Sequence, residues 1–254
     1  MNKYQKVEEL YNNPYLYDIE FKEYHDDIYF WPQMIRDYNP KSLIEIGCGT
    51  GRVAKLVAPL VKKYTGLDFS KEFINYFKEN NREIISQYNV ELINQDMKKM
   101  NIDYKYDMVI LPFNVFVYLY TSKDIKDFFI GIEKIIKKNT IIIVDLTNNH
   151  EEDFTKTDYR LCNELINNDK EKIQLYEKHS YDIENQIINY SKKYIWKDSN
   201  KKVVLDLPVK VYTVEDFVNI SIEYNYSIEK IYGDYDKSEY SASSRKQIIV
   251  LRKK

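Results

Sequence analysis

Three of the chain's 6 glycines fall within five residues, at Gly47, Gly49 and Gly51, directly after the apolar run Leu43-Ile44-Glu45-Ile46. Glycine serves where backbone takes a positive φ or comes close to a ligand. The cluster therefore reads as a ligand-binding turn. An acid, Asp68, follows Gly47 by 21 residues and closes a second run, Tyr64-Thr65-Gly66-Leu67. That is the separation at which a carboxylate ending the second strand of a βαβ unit reaches the ribose hydroxyls of a nucleoside; a solvent-facing turn aspartate is the plainer alternative. Asp96, Asn114 and Asp145 stand at the ends of three later apolar runs.

The elements that must position these residues follow from periodicity. Val53, Leu56, Val57, Leu60 and Val61 have the spacing of one helix face, so the glycine turn joins a strand to a helix. Ser70 is placed as N-cap of a helix carrying Phe73, Ile74 and Phe77, and Thr121 with Asp124 resembles a capping box before a helix running to Ile136. Strands at Val90 to Ile93, Met108 to Leu111 and Ile141 to Leu146 complete an alternation that implies a parallel sheet with helices on both faces, its ligands at the carboxyl ends of the strands. Ahead of it, Tyr17, Phe21, Tyr24, Ile28 and Trp31 form a helical stripe, either packing on the core or closing as a lid. Beyond it, Ile173 to Tyr181, Ile187 to Trp196 and Val203 to Tyr212 read as an antiparallel meander. A helix with Val214, Phe217, Val218 and Ile222 on one side and two last strands, Ser227 to Tyr232 and Gln247 to Leu251, end the chain. One domain is expected: a lid over 1–40, a core over 41–150, a β cap at about 170–212, and the last helix and strands over 213–254.

At 254 residues and a formal charge of -2 there is no overall basic field for nucleic acid or an acidic membrane. Cys48 and Cys162 form no disulfide framework or CxxC pair, and no HxxxE or paired histidine offers a metal site, so none is expected. Without a leader or an apolar run of membrane length, the expectation is a cytoplasmic chain. The 25 tyrosines could suggest an aromatic ligand surface, but a compositional bias is the favoured reading.

A dinucleotide would want G-x-G-x-x-G, whereas here the third glycine comes one residue early and Glu45 precedes the turn. Glu45-Ile46-Gly47-Cys48-Gly49-Thr50-Gly51-Arg52 resembles the first motif of class I S-adenosylmethionine-dependent methyltransferases. The resemblance continues through Asp68-Phe69-Ser70, Asn94-Gln95-Asp96-Met97, Pro112-Phe113-Asn114 and Val144-Asp145-Leu146. It implies a Rossmann-like, doubly wound seven-stranded sheet with an antiparallel last strand, here with an inserted antiparallel β cap and an N-terminal helical lid. It also implies S-adenosylmethionine as cofactor. Gly47, Cys48, Gly49 and Gly51 would pass under its methionine part, Asp68 would take both ribose hydroxyls, Asp96 the adenine amino group and Met97 the ring, with Phe69 and Phe113 flanking its faces. Glu45 would meet the amino-acid end or serve as a structural acid; Arg52 would meet a carboxylate or cap the loop electrostatically.

The segment Tyr17-x-x-Glu20-Phe21-x-x-Tyr24 and the ending Tyr232-Gly233-Asp234-Tyr235 are similar to small-molecule N-methyltransferases of the glycine and aminosugar type. That resemblance adds Tyr17 to the cofactor residues and Tyr24, Asn114, Tyr118 and Trp196 to the acceptor candidates. Relatives often carry histidine where Tyr118 stands, four residues after Asn114. A phenol with an ordinary pKa near 10 is a better hydrogen-bond partner than a neutral-pH base, so Tyr118 and His150, just past the fifth strand, are the catalytic candidates. The expected reaction is methyl transfer to nitrogen or oxygen of a small-molecule acceptor, by a monomer or a homodimer. The alternatives are an RNA or protein acceptor, or a cofactor-binding module without catalysis.

Overall fold

The structure is a computed structural model and describes residues 12–150, 154 and 157–253. It divides into two compact units: Met1–Tyr24 with Asn149–Val211, and His25–Asn148 with Tyr212–Lys254. We refer to them as the cap and the core.

The core holds a seven-stranded sheet. Its strands are β1 (Ser42–Ile46), β2 (Lys63–Asp68), β3 (Val90–Asn94), β4 (Tyr106–Leu111), β5 (Ile136–Thr147), β10 (Tyr226–Tyr232) and β11 (Lys246–Lys253). The order is β10-β11-β5-β4-β1-β2-β3. The pairs among β1 to β5 are parallel, while β11 runs antiparallel to both β5 and β10. The last strand is thus antiparallel, as the family resemblance implies. β1 is buried along its whole length, whereas β3, at the edge, is half-exposed. Continuous apolar runs in β1, β4 and β5 fit strands covered on both faces.

The helices depart from or sharpen the sequence expectations in several places. The N-terminal stripe does not form one helix: α1 (Pro14–Glu20) ends in turns, and α2 (Phe30–Tyr38) starts afresh two residues before Pro32. Asp27, between them, is fully buried and bonded to side chains, which breaks the helical path. Residues 1–11 of the expected lid lie outside the described residues. The helix after the glycine turn is only α3 (Ala54–Val57), followed by a 3-10 turn at Ala58–Leu60. Pro59 explains the stop, since its ring would meet the carbonyl four residues back and it offers no N–H. α4 (Lys71–Asn80) has Ser70 as N-cap, its hydroxyl accepting from Phe73 N–H. A short α5 (Arg82–Gln87) follows, and α6 (Ser122–Ile135) starts on the expected Thr121–Asp124 capping box. α7, between Val214 and Glu223, buries Phe217, Ile220 and Ser221, leaving Val218 and Ile222 exposed. Its inward face is turned from the expected one because Tyr224, just past its end, stacks on Phe129 at 4.4 Å.

The cap holds a four-stranded antiparallel sheet, β6 (Arg160–Ile166), β7 (Lys172–Asp182), β8 (Ile187–Trp196) and β9 (Lys202–Lys210), in sequential order. β6 had no counterpart in the sequence reading, which began the meander near 170. α1 belongs to this unit. Its Leu16 and Ile19 pack with Leu165, Ile173, Leu175, Tyr194, Trp196 and Leu205 into one apolar cluster.

Candidate functional site

The glycine turn takes its shape from both backbone and packing. Gly47, Gly49 and Gly51 all have positive φ, at 73, 54 and 89°. A Cβ at Gly47 would lie 2.4 Å from Val115 Cγ2, and one at Gly51 would lie 2.8 Å from Phe77 Cε1. At Gly49 the nearest atom would be Phe73 Cδ1 at 3.7 Å, so space remains there. Leu67 O accepts from the N–H groups of Gly47 (2.7 Å) and Cys48 (3.0 Å), which staples the turn to β2. Buried Cys48 presses its Sγ against Gly66, where a Cβ would come within 2.9 Å. Burial pushes that thiol well above its ordinary pKa. It is a packing group under the turn.

Asp68, at the end of β2, is buried and accepts backbone N–H groups from Gly49 and Ser70, each at 2.9 Å. Burial raises its carboxyl to about 6, against the lowering effect of the Ser70, Gly49 and Phe69 amides. Glu45 is also buried and accepts the Tyr64 hydroxyl at 2.7 Å; burial lifts it to about 8, with the Tyr64 bond and the Arg52 charge opposing. This is the structural-acid alternative for Glu45. Arg52 meets a carboxylate, that of Asp27, with its two guanidinium nitrogens at 2.5 and 2.9 Å.

Past β3, Asp96 caps a 3-10 turn at Met97–Lys99 by accepting from Lys98 N–H. Asn94 donates to the carbonyls of Asp68 (3.0 Å) and Phe69 (2.8 Å), holding the Asp68-Phe69 segment beside it. Its role had no sequence signal beyond its place at a strand end. Phe69, next to Asp68, is 40% exposed.

Past β4, Phe113 and Asn114 both take positive φ, 56 and 66°. Asn114 is strapped to the end of β5: Thr147 N–H donates to its Oδ1 at 2.6 Å and its Nδ2 donates to Thr147 Oγ1 at 3.1 Å. Asp145 is wholly buried rather than ligand-facing. Its Oδ2 accepts Phe113 N–H (2.8 Å) and the Tyr235 hydroxyl (2.7 Å), and Lys246 Nζ lies 3.0 Å from Oδ1. Phe113, expected beside an adenine, has Arg52 Cζ 5.2 Å and Lys246 Nζ 5.9 Å from its ring centroid. Tyr118 is half-buried at the end of the 3-10 turn Val115–Tyr118.

Tyr17, Tyr24, His150 and Trp196 belong to the cap unit. Tyr17 lies against Phe21, with ring centroids 4.8 Å apart. His150 and Tyr24 are half-buried. Trp196 is in the apolar cluster under α1, so its surroundings are packing. Next to that cluster, Glu20 of α1 accepts the Tyr194 hydroxyl at 2.5 Å and pairs with Lys192, which also stands 3.3 Å from Glu177. Burial works against the Lys192 charge, and Glu20 with Glu177 outweighs it, leaving the ammonium pKa above its ordinary value. Among the described residues, no three His, Cys, Asp or Glu side chains group as metal ligands, and no helix is long and apolar enough to cross a membrane.

Residues 43–139 match a family described as a methyltransferase domain. Over 88% of this chain and 89% of its own length, the Bacillus subtilis protein YqeM, provisionally named a methyltransferase, is 18% identical. The fold is shared with a crystal structure of an S-adenosylmethionine-dependent methyltransferase from Clostridium acetobutylicum, at TM-score 0.77 and 16% identity over 99% of each chain. It is shared too with S-adenosylmethionine-bound CalS10, an amino pentose methyltransferase from Micromonospora echinaspora, at TM-score 0.73 and 13% identity over 94% of this chain and 95% of that one.

Proposed function

We propose that this chain is an S-adenosylmethionine-dependent methyltransferase and that its methyl group goes to a nitrogen or oxygen of a small-molecule acceptor. The cofactor reading is carried by one arrangement: a buried carboxylate, Asp68, ends β2 beside a glycine turn that leaves room above Gly49. Those residues fit the group. Asp68 would take the ribose hydroxyls, Asp96 and Met97 the adenine edge, and Phe69 one face of the ring, while Gly47 to Gly51 would pass beneath the methionine portion. Phe113, with two cations on its ring, belongs to the acceptor side in this reading.

The cofactor supplies an activated methyl on a sulfonium. The chain's own residues must bind, orient an acceptor lone pair and exclude water. Asn114, fixed by Thr147, and Tyr118 are our acceptor-orienting candidates in the core. The small-molecule reading draws support from CalS10, an amino pentose methyltransferase whose fold the chain shares over 94% of its length. The test is transfer of labelled methyl groups from S-adenosylmethionine into fractionated cell extract. Label in the low-molecular-weight fraction is the expected result. Label in RNA or protein would replace the acceptor class, and cofactor binding without transfer to any fraction would sink the enzymatic reading.

A further inference from the structure

Two acid–cation pairs in the core converge on one ring. In the first, Asp27 is fully buried, holds both Arg52 guanidinium nitrogens and accepts the Trp31 indole N–H at 3.0 Å. In the second, Asp145 is fully buried, accepts the Tyr235 hydroxyl and Phe113 N–H, and faces Lys246. Each pair places its cation within about 6 Å of the Phe113 centroid, the range of cation–π attraction. Phe30 bridges the two, with its ring 5.1 Å from Trp31 and 5.5 Å from Tyr235.

This is a costly way to fill a core. A buried ion pair is often no more stabilising than apolar residues of the same size, yet the fold spends two on a single phenyl ring. The ring also belongs to a backbone with two successive positive-φ residues other than glycine, a conformation that persists only where its surroundings hold it. The place is the carboxyl edge of an α/β sheet, where ligands bind. One pair arrives with Arg52 of the glycine turn and the other with Lys246 of β11. The arrangement ties the cofactor turn to the Phe113-Asn114 turn.

We propose that Lys246, acting with Asp145 and Tyr235, is a positioning residue for methyl transfer: it fixes the Phe113-Asn114 turn against Arg52, and its loss slows transfer without loosening the cofactor. The inference rests on the methyltransferase reading above. The Lys246 ammonium supplies a charge to Asp145 and a cation to two rings, those of Phe113 and of Tyr235 at 5.0 Å. Arginine can do both, and methionine neither.

The test places 4-fluorophenylalanine at position 113 in the full chain and reads its fluorine resonance. The variants are Lys246→Arg, Tyr235→Phe and the double variant Asp145→Asn/Lys246→Met, which removes both charges so that no carboxylate is left buried alone. We expect one narrow line in the parent and in Lys246→Arg, a shifted line in Tyr235→Phe and a broadened or split one in the double variant. With the acceptor fraction of cell extract, kcat of the double variant should fall about tenfold or more. Its calorimetric Kd for S-adenosylmethionine should stay within about twofold, and Lys246→Arg should recover most of the rate. An unshifted narrow line in the double variant, or Kd weakening in step with kcat, overturns the proposal. Should the parent itself transfer no label, the functional reading fails, and the fluorine line alone then decides whether the clamp exists.

Discussion

Core and cap both bury charge, and they use it for different ends. In the core, Asp68 and Asp145 accept backbone N–H groups, from Gly49 and Ser70 in one case and from Phe113 in the other. In the cap, Glu20 is met by the side chains of Lys192 and Tyr194, and Lys192 reaches on to Glu177. A carboxylate bonded to backbone fixes the path of a loop. One bonded to side chains joins separate elements, here α1 to β7 and β8. The contrast teaches that buried polar groups shape a binding turn in one unit and hold a helix on a sheet in the other.

The largest expected effect tests the cap half of that contrast. Lys192→Met leaves Glu20 and Glu177 facing each other without their shared cation, and breaking a buried pair this way costs about 3–5 kcal/mol. Hydrogen exchange should show the loss as local opening. Amides of β7 and β8 should lose protection while those of β1 and β2 keep theirs, and Glu20→Gln/Lys192→Met should restore part of it. Equal loss in both units would break the comparison.

Asp68→Ala tests the core half. Hydrogen bonds to a charged group contribute about 1.5–3 kcal/mol each, so losing the ribose contacts should weaken S-adenosylmethionine binding by roughly 100-fold or more, measured by calorimetry. The parent should show the same dependence through pH. Its carboxyl titrates near 6 in the ligand-free chain, and hydroxyl donors favour the ionised form, so affinity should fall as pH drops through that value. About tenfold is expected between pH 7.5 and 5. The cap variant Glu20→Gln should leave the Kd unmoved, and an unchanged Kd for Asp68→Ala would remove the ribose assignment.

This division also explains what could be read from the sequence. The core turn was legible because it demands residue types: positive φ at Gly47, Gly49 and Gly51, a short acid at Asp68 and an N-cap at Ser70. The doubly wound sheet and its antiparallel last strand followed from the family resemblance together with alternating elements. The rest depends on partners distant in the chain. Asp27 gives no sign that Arg52 will pair with it, and Lys246 none that it will serve Asp145. Glu20 and Lys192 are 172 residues apart, so α1 read as a lid helix while the packing beneath it stayed hidden. β6 was missed because most of its residues are exposed, which blurs alternation. Trp196, offered as an acceptor wall, lies in the cluster that α1 covers.

The subtlest test of the comparison follows Glu45 by pH alone. The folded-state pKa of Glu45 is raised by burial from an ordinary 4.5 to about 8. Between those values the folded chain keeps a proton that the unfolded chain has released, so this residue's contribution to stability declines as pH rises from about 4.5 to 8 and then levels off. Glu45→Gln still offers an acceptor to the Tyr64 hydroxyl but carries no charge. The variant should therefore melt like the parent near pH 4.5 and gain on it steadily up to pH 8. Lys192 titrates in the same sense but in a higher pH window. Its pKa is raised above an ordinary 10.5, so its contribution is fully present below that value and is lost only as pH rises through its folded pKa. Differential scanning calorimetry of parent and Glu45→Gln from pH 4.5 to 9 should show a widening gap. A constant gap would mean that Glu45 is ionised in the folded core throughout, held like Lys192 by a partner of opposite charge.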